Sequence, residues 1–258
     1  MVENLTHKSY SLNLKTKIIG KKIIHFNKIP STNLYAKKLI DENIDNGTIV
    51  IADVQTKGRG RKNRSWISPH GGLWFSVILY PDISPKRGMV ITMAASISVT
   101  QAIRDIAGLK TEIKWPNDVL LKNKKVCGIL TEFNAELNKI KYAIVGIGIN
   151  VNNKIDGELE DIAISLKQEI GSEVSREKLF GLILENFDNN YYKLKNNDFE
   201  HIKKIWLTYS NIIGKKVRII EEKNMIEGIV KDIYDDGSLI IKTNSGINNV
   251  LNGDMTIV

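Results

Sequence analysis

Lys57-Gly58-Arg59-Gly60-Arg61-Lys62-Asn63-Arg64-Ser65-Trp66 puts three arginines, two lysines, two glycines and an aromatic into ten residues. The run before it, Thr48-Ile49-Val50-Ile51-Ala52-Asp53-Val54-Gln55, is mostly apolar and β-branched and predicts a buried strand. The run after it, Gly72-Leu73-Trp74-Phe75-Ser76-Val77-Ile78-Leu79, predicts another. A loop this basic between two core strands suits an anion. Glycine lets the backbone approach closely, and the arginine fork matches phosphate or carboxylate.

Upstream, Lys22 to Phe26 predicts a strand, and Ser31 and Thr32 are N-caps for a helix running to about Glu42. Downstream, Met89, Ile91, Met93, Ala94, Ile97, Ala102 and Ile103 mark Gly88 to Ala107 as a well-buried helix. Lys114-Trp115-Pro116-Asn117-Asp118 leads into Val119-Leu120-Leu121, and Lys122-Asn123-Lys124 turns that strand into Lys125 to Phe133. Asn138-Lys139 turns it again into Ile140 to Val145, ending in Gly146-Ile147-Gly148-Ile149-Asn150. Helices follow at about Ile162 to Ile170, Arg176 to Leu194 and Phe199 to Tyr209. From about Asn211 the chain becomes short strands with turns at Asp235-Asp236-Gly237 and Asn244-Ser245-Gly246, the pattern of a small SH3-like β-barrel. The expected division is therefore 1–210, with a lead-in over 1–20, and 211–258.

With 42% hydrophobic and 26% charged residues, the chain has the composition of a soluble globular protein. The net charge of +8 is spread over scattered lysines, which reads as a basic solvated surface, although the loop alone is compatible with RNA binding. The single cysteine, Cys127, excludes an intrachain disulfide and lies in an apolar run as a small hydrophobe. No membrane span or signal peptide is legible, so a cytoplasmic location is expected. Gly146-Ile147-Gly148 lacks the third glycine and following helix of a dinucleotide fingerprint, and reads instead as a strand that bends or passes close to another backbone. His7, His25, His70 and His201 are isolated in sequence, which disfavours a catalytic triad.

Taken in order, Ser31-Thr32-Asn33, the Gln55 to Trp66 loop, Lys114-Trp115-Pro116-Asn117-Asp118, Lys125-Val126-Cys127-Gly128-Ile129-Leu130 and Gly146-Ile147-Gly148-Ile149-Asn150 closely resemble the catalytic domain of biotin protein ligases. The resemblance runs from about residue 22 to the C-terminus. It implies an α+β fold: a mixed β-sheet with helices, of the class II synthetase-like biotin/lipoate ligase type, plus a small C-terminal SH3-like barrel. It also implies the reaction. Biotin is activated with ATP and Mg²⁺ to biotinyl-5′-AMP, then transferred to one lysine of a biotin carboxyl carrier protein or domain.

The resemblance assigns roles to particular residues. Lys125 matches the lysine that holds the biotin carboxylate and then the α-phosphate, with Arg61 and Lys114 beside it as catalytic cations. Without the resemblance, Lys125 reads as a hairpin-flanking surface lysine like Lys122 or Lys124. Ser31, Thr32, Asn33 and Gln55 match contacts to the ureido ring, although the first two also read as helix caps. Gly58, Arg59, Gly60 and Arg61 close over biotin, and Trp115 and Gly128 wall it. Arg59, Arg61, Trp66, Lys114, Asn117 and Asn150 match the nucleotide side. Asp118 is the Mg²⁺-associated carboxylate.

Asn63 stands where family loops commonly carry glycine, which implies altered loop closure. Only about 20 residues precede the resemblance, so a monofunctional ligase without specific DNA binding is expected. A homodimer through the Ile140 to Val151 strand at a sheet edge is compatible, as is a monomer. Two rivals stay open: a lipoate or octanoate ligase of the same superfamily, and a regulatory binding protein without ligase activity.

Overall fold

The computed structural model describes residues 14–221 and 224–258, so His7 and most of the expected lead-in lie outside the described residues. Strands β1 (Ile23–Ile29), β2 (Ile49–Gln55), β3 (Leu73–Leu79), β4 (Thr111–Lys114), β5 (Asp118–Leu121), β6 (Lys124–Glu136) and β7 (Lys139–Ile149) form one sheet. Their order is β1-β2-β3-β7-β6-β5-β4. The β1–β2 pair is parallel and the other pairs are antiparallel, giving the mixed sheet expected. Every residue of β3 is buried, because strands flank it on both sides and both its faces are covered.

The helices are α1 (Thr32–Ile40), α2 (Gly88–Ala107), α3 (Leu166–Ile170), α4 (Arg176–Lys195) and α5 (Phe199–Tyr209). α2 packs in the same apolar cluster as Phe75, Ile129 and Ile147 of the sheet, with α4 and α5 against it. Phe75 meets Phe180 of α4 edge to face, with ring centroids 5.0 Å apart. α2 ends at Gly108, whose φ of +64° supplies a left-handed cap. α1 lies on the other face, where Ala36 and Leu39 cover Val50, Ala52, Ile78 and Ile144. Among the described residues, α1 covers one end of that second face. The other end is left for a cavity.

Two expectations are corrected by the structure, and a third is met only in part. Ser31 occupies the N-cap position of α1, but its side chain makes no capping hydrogen bond, and the Thr32 hydroxyl turns to Gln55 instead. Strand β7 is not a sheet edge: β3 pairs with it on one side and β6 on the other, which leaves no free backbone row for a partner over Ala143–Ile149. The C-terminal strands β8 (Lys216–Glu221), β9 (Asn224–Ile233), β10 (Leu239–Thr243), β11 (Gly246–Val250) and β12 (Asp254–Ile257) form an antiparallel five-stranded sheet ordered β11-β10-β9-β8-β12. Among the described residues its outer strands are not paired with one another, so the sheet is open where a closed barrel was expected.

This second sheet is no appendage. Val217, Ile219, Val230, Ile241 and Met255 belong to the same buried cluster as α2 and the large sheet. The Trp115 indole N–H donates to the Gly237 carbonyl at 3.2 Å, a direct tie between the two sheets. No helix among the described residues is long and apolar enough to cross a membrane.

Buried Asp188 on α4 fastens the segment before β1. Its carboxylate accepts the backbone N–H groups of Lys17 (2.7 Å), Ile18 (2.8 Å) and Ile19 (2.7 Å). Asp188→Ala should cost about 3 kcal/mol in urea denaturation, since three charge-assisted hydrogen bonds are lost and the buried Ile19 N–H is left unpaired. A loss under about 0.5 kcal/mol, the range of ordinary surface changes, would mean the segment is held by packing alone.

Candidate active site

The register of the large sheet lays Lys114, Asp118, Gly128, Gly148 and Trp74 in one row across five strands. The next row carries Leu130, Gly146 and Ser76. The glycines clear the floor so that other side chains can lie on the backbone. A Cβ on Gly148 would stand 2.4 Å from Trp66 Nε1, and one on Gly146 would stand 2.1 Å from Asn33 Oδ1. The close approach expected at Gly146-Ile147-Gly148 is therefore by side chains, not by a second backbone.

Above this floor lies a cavity of about 830 Å³. Every candidate residue named from the sequence lines it except Gly58. Gly58 works from behind, where a Cβ would meet the Trp66 carbonyl oxygen at 2.3 Å and Ser68 Oγ at 2.7 Å. Trp115 lines the cavity although only 1% of it is exposed.

One end of the cavity is neutral and rich in hydrogen-bonding groups. Gln55 Oε1 accepts from the Thr32 N–H at 2.8 Å and the Thr32 hydroxyl at 3.1 Å, while Gln55 Nε2 donates to Ser68 Oγ at 2.8 Å. The Ser76 hydroxyl donates to Asn33 Oδ1 at 2.6 Å and lies 2.7 Å from Thr32 Oγ1. Asn33 Nδ2 donates to Glu132 at 2.8 Å. Ser76, Ser68 and Glu132 were not singled out in the sequence. The signal for Ser76 was present: a hydroxyl in the middle of a strand otherwise apolar.

The other end is cationic. The Lys125 backbone is bonded to residues 162–164, its N–H donating to Ile162 and its carbonyl accepting from Ile164, which fixes where the side chain begins. Lys125 Nζ sits 2.6 Å from Asp118 Oδ1 and 5.0 Å from the centre of the Trp66 ring. It differs from Lys122, which reaches Glu169 on the surface, and from Lys124, which donates to the Glu160 carbonyl. The Lys114 ammonium borders the cavity with no ion-pair partner among the described residues. Asn150 is buried and accepts from Asn153 Nδ2 at 3.1 Å. Trp66 Nε1 is buried without a hydrogen-bond partner among the described residues, a donor left available for a bound molecule.

The basic loop closes the remaining side. It is compact, with Gly60 N–H donating to the Arg64 carbonyl and Trp66 N–H to the Gly58 carbonyl. Lys62 and Asn63 both take left-handed angles, φ +53° and +59°, and asparagine tolerates that conformation where family loops carry glycine. Arg61 donates to Asn117 Oδ1 at 3.0 Å, and Arg59 pairs with Glu132 at 3.4 Å. Burial lowers the Arg61 pKa, offset by the nearby Asp254 and Asp118 carboxylates, and the guanidinium stays charged. Cys127 faces away from this chemistry: it is fully buried, and burial pushes its thiol far above its ordinary value.

No group of three or more His, Cys, Asp or Glu side chains able to hold a metal converges among the described residues. Asp118 is the carboxylate beside Lys125. That donor set fits a Mg²⁺ carried mainly by nucleotide phosphates and touched by one carboxylate, not a protein cage.

Residues 25–150 match the family described as biotin/lipoate A/B protein ligase, and residues 212–257 match the biotin protein ligase C terminal domain. Over 98% of its length the chain is 38% identical to the bifunctional ligase/repressor BirA of Bacillus subtilis (strain 168), covering 79% of that protein. The chain belongs to the biotin protein ligase family. Within it, the biotin–[acetyl-CoA-carboxylase] ligase of Paracoccus denitrificans is 30% identical, over 84% of this chain and 92% of the relative. The biotin protein ligase from Aquifex aeolicus in complex with biotin and ATP superposes with a TM-score of 0.80 at 32% identity, covering 92% of this chain and 100% of that one.

Gly148→Ala tests the floor of this ligase-family site. The added methyl must displace the Trp66 indole, so intrinsic fluorescence should shift and stability should fall by about 1–3 kcal/mol, the usual cost of overpacking. An unchanged spectrum, with Trp66→Phe as the control, would mean the indole does not rest there.

Proposed function

We propose that this member of the biotin protein ligase family activates biotin with ATP to biotinyl-5′-AMP and transfers the biotinyl group to a lysine of a carboxylase carrier domain. The observation that carries this is one cavity with a neutral hydrogen-bonding end and a cationic end. A ureido ring needs donors for its carbonyl and acceptors for its N–H groups, which Ser31, Thr32, Asn33 and Gln55 can supply. That polar end favours biotin over lipoate, whose dithiolane ring would leave those groups unpaired.

In the first step a biotin carboxylate oxygen attacks the α-phosphorus and pyrophosphate leaves. Two anions must meet, so the positive charge of Lys125 and Lys114 lowers the barrier. Lys125 has three N–H donors, and its contact with Asp118 leaves others for the carboxylate and then the α-phosphate. Mg²⁺, with Asp118 as its protein contact, would neutralise phosphate charge. Trp66, Asn117 and Asn150 face the adenosine portion, while Trp115 and Gly128 wall the biotin tail. In the second step the carrier ε-amine, having lost a proton, attacks the biotinyl carbonyl carbon and AMP leaves. Arg59 and Arg61, with Gly58 and Gly60 giving the loop its close path, keep water from the mixed anhydride.

The C-terminal sheet is read as an open form of an SH3-like unit, beginning near residue 211; its number of short strands supports this. A cytoplasmic location belongs to the same proposal.

Mass spectrometry after incubation with Mg²⁺-ATP and either biotin or lipoate tests it. Biotinyl-AMP should form only with biotin, and Lys125→Ala should lower its rate by about 10²–10³, the scale of losing one transition-state charge contact. Adenylate from lipoate alone would move the substrate, and none from either acid would leave a binding role. Arg61→Gln should raise the fraction of biotinyl-AMP found free in solution. Unchanged retention would remove Arg61 from that task.

A further inference from the structure

The loop 57–66 holds five cations within eight residues, Lys57 to Arg64, and such a segment repels itself unless anions or carbonyls hold it. Three of the five reach the turn between β11 and β12, about 190 residues away in sequence. Arg61 Nη2 donates to the Gly253 carbonyl at 3.1 Å and to Asn252 Oδ1. Lys62 Nζ lies 3.3 Å from Asp254 Oδ2, and Arg64 Nη2 pairs with the same oxygen. Lys62 also donates to the Ile220 carbonyl of β8 at 3.3 Å.

The turn is shaped for this contact. Gly253 adopts φ +146°, and a Cβ there would stand 2.3 Å from Ile219 Cγ2, so only glycine fits the bend that presents its carbonyl. Asp254, Met255 and Thr256 line the same cavity as the loop. Burial raises the Asp254 carboxyl, but hydrogen bonds from Lys62 and Arg64 outweigh it and hold the group below the ordinary carboxylate range. It therefore stays charged at neutral pH.

We propose that the β11–β12 turn is an electrostatic latch that keeps the basic loop closed over the cavity, with Asp254 as its positioning residue. Asp254 touches neither reacting atom; it acts through Lys62 and Arg64. This gives the C-terminal sheet a task at the active site, and the retention arm of the test below rests on the ligase reading above.

Hydrogen–deuterium exchange on the full chain without ligand tests the latch directly. In Asp254→Asn, peptides covering 57–66 should exchange roughly tenfold faster, the scale of one charge-assisted hydrogen bond. Peptides from β3 should be unchanged, which establishes that the core is intact. Asp254→Glu should restore much of the protection. Equal loop exchange in wild type and Asp254→Asn would overturn the proposal, as would an Asp254→Glu variant no better protected than Asp254→Asn. With biotin and Mg²⁺-ATP added, Asp254→Asn should also release more free biotinyl-AMP. A wild-type protein that makes no adenylate would sink the ligase reading while the exchange result still decided the latch.

Discussion

Repulsion between two anions is the constraint around which this fold is arranged. A carboxylate and a polyphosphate approach each other only where positive charge is already held in place and water is kept out. Both requirements are met from the sheet. The row Lys114, Asp118, Gly128, Gly148, Trp74 fixes one cation at the floor and leaves two positions without side chains. Trp66 settles on that bare backbone, and Lys125 sits over its ring. Helices cover the opposite face, so the floor rests on a packed core that resists displacement.

The same constraint accounts for the division of the cavity. Positive charge gathers at the end where the anions would meet, while amides and hydroxyls line the other end, where Glu132 beside Asn33 is paired with Arg59. Asp118 tempers Lys125 without neutralising the end as a whole, since Lys114 has no ion-pair partner among the described residues. The loop that shuts the cavity is itself highly cationic. Its arginines are engaged by Asn117, Glu132 and the β11–β12 turn, so closure joins both sheets of the protein.

Much of this was legible because it is local. The buried strands around the loop announce themselves by β-branched runs, α2 by its periodicity, and the Lys122-Asn123 hairpin by an asparagine, which tolerates positive φ (+65° here). What was missed depends on partners far away in sequence. Strand β4 is four residues long, too short for alternation to register. Whether the C-terminal strands close depends on a pairing between β11 and β12 that no local pattern encodes. Ser31 sits where a cap belongs, yet its side chain makes no capping bond and lines the cavity instead, while the Thr32 N–H beside it goes to Gln55. Glu132 and Asp254 look like ordinary surface acids until the fold brings the loop to them.

The most direct measurement of the central claim is a crystal structure of the full chain with a non-hydrolysable biotinyl-adenylate analogue. The account predicts the ureido ring against Thr32 and Gln55, the phosphate within hydrogen-bond reach of Lys125 Nζ, and the adenine beside Trp66. An analogue bound outside the cavity, or in it with its phosphate away from Lys125 and Lys114, would contradict the claim that this floor exists to bring two anions together.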